Sequence, residues 1–135
     1  MFLPEFEDDY LPEGYVRIAS GKNEGLICRK EYLDLTKEEK ERICNGIGAS
    51  TGLSKHFPNT VWGLNIKECG DIHDYDYHVG GSREDKIIAD KVLLRNCRYM
   101  IKNACILLRY PRYMRVNKYY IAVSIGGDSH FNFTK

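Results

Sequence analysis

The chain has 135 residues, of which 43% are hydrophobic and 29% charged, so it is long enough to bury one core and is not composed like a disordered segment. Its formal net charge of +1 excludes a strong overall field that would attract nucleic acid. Residues 1–14 lack the basic and apolar regions of a secretory signal, and no apolar run has the length of a membrane span. We therefore expect a single cytoplasmic domain over 1–135, with its five cysteines reduced and mostly buried.

The first part of the chain predicts an arm followed by a hairpin. Residues 1–14 contain two prolines and an acidic cluster, which is typical of an extended arm. Residues 15–20 alternate between apolar and polar side chains, and a glycine-bounded turn separates them from the run Leu26–Arg29, which is apolar up to Cys28. This pattern predicts a small N-terminal β-hairpin.

The rest of the chain predicts helices, so the expected fold is mainly α. Thr36 with Glu39, and Asn65 with Glu68, have the spacing of capping boxes that start two helices. A long third helix is predicted from Ser82 to Leu108, with its buried stripe formed by Ile87, Leu94, Cys97, Ile101, Cys105 and Leu108. A C-terminal helix is predicted over 111–124, with the tail after it packing back on the body.

One acidic residue, Asp90, falls inside the apolar stripe of the third helix. A carboxylate there loses hydration, which costs several kcal/mol unless it is paired. His73 lies on the apolar face of the preceding helix, together with Ile66, Cys69 and Tyr77. Because a short glycine turn joins the two helices, we expect them to be antiparallel and to bring His73 against Asp90. Such a pair is either an oriented general base or a purely structural contact.

Asp74 follows His73 and faces the irregular, glycine-containing segment before the helix. A carboxylate beside such a loop can hold Ca²⁺ with backbone carbonyls, although a solvated aspartate in an acidic segment has the same pattern.

The string from Cys69 to Tyr77, with His73 and Asp74 adjacent, resembles the active-site helix C-x-x-x-H-D-x-x-Y of the phospholipase A2 superfamily. The run from Asp90 to Leu93 is similar to the partner-helix D-x-x-F/L of small bacterial and phage-type members. The resemblance covers about residues 45–105, and it implies a core helix pair within 45–108. The hairpin and the last helix lie outside it.

The resemblance implies Ca²⁺-dependent hydrolysis of the sn-2 ester of a phospholipid. His73 would deprotonate the attacking water, Asp90 would hold His73, and Tyr77 would bond nearby. Asp74, with loop carbonyls at Gly46 and Gly48, would hold Ca²⁺. The expected partner is a phospholipid or a membrane surface, and not a nucleic acid.

Two alternatives stay open. In the first, the chain keeps the fold without turnover and binds a protein partner, as a phage or mobile-element accessory protein would. The distance in sequence between Gly48 and Asp74 favours this alternative. In the second, His56 joins His73 and Asp74 around a transition metal, as in a phosphohydrolase.

Arginines and tyrosines interleave over residues 109–120. This pattern is found in membrane-interface helices and in single-strand nucleic-acid platforms. Given the small net charge, the preferred interpretation is a solvated helix face with half-buried tyrosines.

Overall fold

A computed structural model describes residues 9–45 and 58–133, and this part of the chain is mainly helical. Two antiparallel strand pairs accompany the helices: β1 (Tyr15–Arg17) with β2 (Ile27–Arg29), and β3 (Thr60–Val61) with β4 (Leu64–Asn65). The α-helices in the described residues are α1 (Lys37–Asn45), α2 (Lys67–Val79), α3 (Arg83–Lys102) and α4 (Arg109–Gly126). None of the helices in the two described ranges is long and apolar enough to cross a membrane.

The predicted N-terminal hairpin is present, and a buried amide on α3 fixes it to the helices. Asn96 accepts a hydrogen bond from the N–H of Ile27 at 2.9 Å and donates one to the carbonyl of the same residue at 2.8 Å. Because Asn96 is fully buried, these two bonds satisfy a polar group that would otherwise destabilise the core. Residues 1–8 of the predicted arm lie outside the described residues.

The first predicted capping box is confirmed. The N–H of Thr36 donates to Glu39 Oε1 at 2.9 Å, and the N–H of Glu39 donates to Thr36 Oγ1 at 3.1 Å. These reciprocal bonds satisfy two of the free N–H groups at the start of α1.

The second predicted capping box is incomplete, because Asn65 Oδ1 accepts a hydrogen bond from the N–H of Lys67, the first residue of α2, at 2.9 Å, but Glu68 is bound elsewhere. Asn65 is the last residue of β4 and pairs with Thr60, so its backbone belongs to a strand, and Ile66 is the N-cap of α2. Glu68 does not reach back to the helix start but binds Lys40 on α1 at 2.7 Å. The short β3–β4 hairpin therefore determines where α2 begins.

The third helix is shorter than predicted. It ends at Lys102, and the Tyr99 carbonyl in its last turn accepts both the backbone N–H of Asn103, at 3.2 Å, and the side-chain amide of Asn103, at 2.8 Å. The predicted stripe is corrected at both ends, because Ile87 is 43% exposed and Cys105 is exposed. The buried stripe contains Lys86, Asp90, Leu93, Leu94, Cys97 and Ile101. The other four cysteines are buried, as expected.

The last helix and the tail close the fold over α2 and α3. α4 extends beyond the predicted range at both ends, and Pro111 lies in its first turn, where no intrahelical N–H is needed. The tail packs back as predicted: the N–H of Asn132 donates to the Tyr77 carbonyl at 3.1 Å, and Phe131 is buried.

A second buried carboxylate, Asp76, joins α2 to the hairpin. The Tyr15 hydroxyl donates to Asp76 Oδ2 at 2.8 Å, and Arg29 Nε lies 3.3 Å from Asp76 Oδ1. Burial raises the pKa of Asp76 to about 7, although the Tyr15 hydrogen bond and the Arg29 charge both lower it. The folded protein therefore holds a proton on Asp76 at pH values where the unfolded chain has lost it.

The raised pKa of Asp76 predicts that stability falls with rising pH. Its contribution is complete below the unfolded value near 4 and is lost as the pH rises through about 7. At about 1.4 kcal/mol per pH unit, the free energy of unfolding should fall by about 2–3 kcal/mol between about pH 5 and pH 8. Asp74, with a pKa also raised to about 7 by burial and then by Asp71, should add to this fall.

Urea unfolding of Asp76→Asn across this pH range tests the assignment, because asparagine still accepts from Tyr15 but does not ionise. In Asp76→Asn, the decrease in the free energy of unfolding with rising pH should shrink to the part that Asp74 contributes. Asp34→Asn, which changes an exposed acid, should leave the decrease as it is in the wild type. Parallel curves for the wild type and Asp76→Asn would show that Asp76 does not titrate there.

Candidate functional site

The antiparallel helices α2 and α3 bring His73 against Asp90, as predicted. Residues 80–82 join the two helices, so positions before and after this turn face each other. His73 Nε2 lies 2.9 Å from Asp90 Oδ1, and each side chain is 3% exposed. Because an ionised carboxylate only accepts hydrogen bonds, Nε2 carries a proton and donates it in a hydrogen bond to Asp90, which leaves Nδ1 as the ring nitrogen that can accept a proton.

Tyr77, one turn after His73 on α2, binds the same carboxylate oxygen. Its hydroxyl donates to Asp90 Oδ1 at 2.7 Å, and its ring lies 4.2 Å from that of His73, centroid to centroid. Burial, followed by the Asp90 charge and hydrogen bond, raises the pKa of Tyr77, so the hydroxyl stays protonated and remains a donor. The structure thus brings together all three residues that were predicted to be catalytic.

Lys86, which is buried beside Asp90 on α3, was not predicted from the sequence. Its ammonium lies 2.9 Å from Asp90 Oδ2 and 3.1 Å from the carbonyl of Val123 on α4. Asp128 is farther away, with Oδ1 at 3.5 Å from the ammonium. The spacing of four residues between Lys86 and Asp90 was a usable signal, because side chains four apart on a helix lie side by side.

These contacts keep Asp90 ionised despite its burial. Burial alone would raise the pKa of Asp90, but hydrogen bonds and charge from His73, with further bonds from Tyr77 and Lys86, lower it below the usual value. The cluster thus holds one buried negative charge, with the Lys86 ammonium as its counter-ion. All of its polar contacts with the carboxylate come from α2 and α3.

The end of α4 and the tail seal one side of this cluster. The rings of Tyr77 and Phe131 pack edge to face with their centroids 5.1 Å apart. A Cβ atom at Gly127 would lie 2.4 Å from the Tyr77 hydroxyl oxygen, so glycine is required for this close approach. These contacts fix the Tyr77 ring and, through it, the orientation of the Asp90 carboxylate.

Asp74 follows His73 on α2 and is half-buried. Within the described part of the chain its carboxylate forms no hydrogen bond or ion pair, whereas the nearby Asp71 is paired with Lys67 at 2.7 Å. A carboxylate oxygen is a ligand type that Ca²⁺ prefers, so Asp74 fits the predicted role in chemistry.

The other predicted ligands are not placed by the structure. Gly46 and Gly48, and His56 of the transition-metal alternative, lie outside the described residues. Within residues 9–45 and 58–133, no three His, Cys, Asp or Glu side chains are arranged to hold a metal ion. Further ligands for an ion on Asp74 would therefore have to be carbonyls, water or groups elsewhere in the chain.

Comparisons with protein-family models, with curated protein sequences and with solved structures gave no match. The resemblance to the phospholipase A2 superfamily therefore stays a prediction, and the site has to be interpreted from its own geometry.

The cluster predicts a large and specific stability effect. Asp90→Asn leaves the buried Lys86 ammonium with only the half-exposed Asp128 carboxylate near it, so it should cost about 3–5 kcal/mol in the free energy of unfolding. The double variant Lys86→Met/Asp90→Asn removes both charges and should lose less than the single variant. Urea unfolding of the wild type, both single variants and the double variant measures this coupling. If the double variant loses the sum of the two single losses, the ion pair does not explain the burial of Lys86.

Proposed function

We propose that the protein is a Ca²⁺-dependent phospholipid hydrolase that uses His73 as its general base. The observation that carries this proposal is the hydrogen bond of 2.9 Å between His73 Nε2 and Asp90, which leaves Nδ1 as the basic atom. Asp90 stabilises the positive charge that develops on the ring when Nδ1 takes a proton from water. Tyr77 prevents the carboxylate from rotating away, because it binds the same oxygen.

Asp74 would hold the second component of the proposed mechanism, a cation that stabilises the negative charge developing on the substrate carbonyl oxygen. Asp74 follows His73 on α2, and its pKa, raised to about 7 chiefly by burial, indicates a carboxylate that lacks a compensating charge. A bound Ca²⁺ would supply that charge, polarise the ester carbonyl and contact the lipid phosphate. The role of Asp74 is to fix the ion beside the base.

A second candidate, a binding protein that keeps the cluster without turnover, is favoured by Lys86. Its buried ammonium already compensates Asp90, so the carboxylate is less free to stabilise a positive charge on His73. In this alternative the cluster of His73, Tyr77, Lys86 and Asp90 only holds α2 and α3 together, and we call this role the clamp.

Hydrolysis of phosphatidylcholine and phosphatidylglycerol vesicles, followed by fatty-acid release with and without Ca²⁺, distinguishes the two candidates. The wild type should release fatty acid only with Ca²⁺, and His73→Gln should lower the rate by about 10²–10⁴-fold because it removes the general base. His78→Gln is the matched control, since His78 is exposed on the same helix. Unchanged hydrolysis by His73→Gln would contradict the proposal.

The calcium arm of the experiment uses Asp74→Asn. This variant should need much more Ca²⁺ for half-maximal rate, because a neutral amide is a weaker ligand than a carboxylate. Asp34→Asn should behave as the wild type. A protein that folds normally but never releases fatty acid would favour the clamp.

A further inference from the structure

The charges of the chain are strongly segregated along the sequence. Between residues 91 and 127 there are eight Lys and Arg residues and no Asp or Glu, whereas the remaining residues contain twelve basic and nineteen acidic side chains. The net charge of +1 thus hides a positive segment, formed by most of α3 and all of α4, beside a negative remainder. This segregation supplies the local field that the overall composition does not show.

Exposed apolar side chains concentrate on this positive segment. Leu107 is 84% exposed, Tyr110 73%, Met114 47% and Ile125 68%. Tyr110, Met114 and Ile125 follow helical spacing, with Lys118 one turn after Met114 and two turns before Ile125, so they form one stripe along the outer face of α4. Leu107 lies just before this helix, in the 3-10 helix Ile106–Leu108. We use the name α4 surface for the following residues: Leu107, Tyr110, Met114, Lys118 and Ile125, together with Arg115 and Trp62. The exposure of Tyr110 corrects the expectation that the tyrosines of this helix are half-buried.

The tip of the β3–β4 hairpin adds a strained aromatic residue to this surface. Trp62 is 55% exposed and has φ of 46°, and among the described residues it is the one non-glycine residue with positive φ. That conformation costs roughly 1–2 kcal/mol for a residue with a Cβ. The buried Arg112 of α4 holds it by donating to the Trp62 carbonyl at 2.7 Å, and Trp62, Arg115 and Tyr119 line one shallow cleft.

The chemistry of the α4 surface selects its partner. Arg115 and Lys118 are exposed and have no ion pair within the described part of the chain, so they attract an anionic partner and oppose a second copy of the same surface. Leucine, methionine and isoleucine gain nothing from a nucleic-acid backbone, but they insert into the acyl region of a bilayer. Tryptophan and tyrosine favour the interface between headgroups and acyl chains.

We propose that the α4 surface binds an anionic phospholipid bilayer, with α4 lying in the plane of the membrane. The aliphatic stripe enters the acyl region, Trp62 and Tyr110 lie at the headgroup level, and Arg115 and Lys118 pair with lipid phosphates and carboxylates. This binding does not depend on turnover at His73, because none of these side chains belongs to the His73–Asp90 cluster.

Trp62 is the chain's single tryptophan, so its fluorescence reports binding directly. Full-length protein is mixed with phosphatidylcholine vesicles or with vesicles of roughly two-thirds phosphatidylcholine and one-third phosphatidylserine, in EDTA to prevent Ca²⁺-dependent turnover. The emission should shift to the blue, and the protein should float with the vesicles, only when phosphatidylserine is present. High salt should weaken the binding.

Two variants and two matched controls locate the surface. The charge reversal Arg115→Glu/Lys118→Glu should weaken partition by at least about tenfold, and Leu107→Asp should do so as well. Lys37→Glu and Leu33→Asp, which change an exposed cation and an exposed leucine elsewhere, should leave partition within about twofold. Circular dichroism melting checks that all four variants fold.

Several outcomes would overturn the proposal. One is that the protein fails to bind vesicles that contain phosphatidylserine, and another is that it binds both vesicle types equally. The third such outcome is that the variants and the controls lose the same amount of vesicle binding. A blue shift caused by single-stranded oligonucleotide but not by vesicles would assign the surface to nucleic acid instead. Self-association in the absence of lipid that the same variants abolish would assign it to a second copy. Vesicle binding without any hydrolysis upholds this proposal while contradicting the hydrolase.

Discussion

The arrangement of the helices depends on one constraint, which is that the Asp90 carboxylate is buried and must be satisfied. His73 and Tyr77 from α2 and Lys86 from α3 supply its hydrogen bonds. The Lys86 ammonium also binds a carbonyl of α4. Three helices are thus held in register by groups that compensate a single charge, and any shift between them would leave a buried polar group unpaired.

The same constraint also fixes the orientation of the His73 imidazole. A carboxylate held by three donors cannot rotate, so the imidazole beside it has a fixed orientation and a defined proton position. Asp74 follows His73 directly on α2, and its half-buried carboxylate lacks a compensating charge, as its raised pKa of about 7 indicates. Lys86 acts in the opposite direction, because it stabilises the ionised Asp90 and competes for its charge. The strength of the Lys86–Asp90 ion pair therefore decides between His73 as a general base and the cluster as a purely structural contact.

The sequence predicted the helix pair and the meeting of His73 with Asp90, because periodicity placed both in buried stripes and a short turn forced antiparallel packing. It missed Lys86, since a lysine in the first turn of a helix has the pattern of a solvated residue. The β3–β4 pair, which places the backbone of Asn65 in a strand, was not predicted because strands of two residues have almost no periodicity of their own. The exposure of the apolar stripe on α4 was not predicted, because interleaved arginines and tyrosines do not indicate which face of the helix packs against the core.

The central claim, that an ionised Asp90 orients His73 with the lone pair on Nδ1, is tested most directly by the tautomer of His73. Two-bond ¹H–¹⁵N correlation spectra of labelled protein, recorded over a pH series, distinguish the two ring nitrogens and report the tautomer of the neutral ring. The account predicts a protonated Nε2 and an unprotonated Nδ1 in the wild type, with loss of this preference in Asp90→Asn. A protonated Nδ1 with an unprotonated Nε2 would contradict it, because Asp90 would then not be the ionised acceptor that organises the cluster.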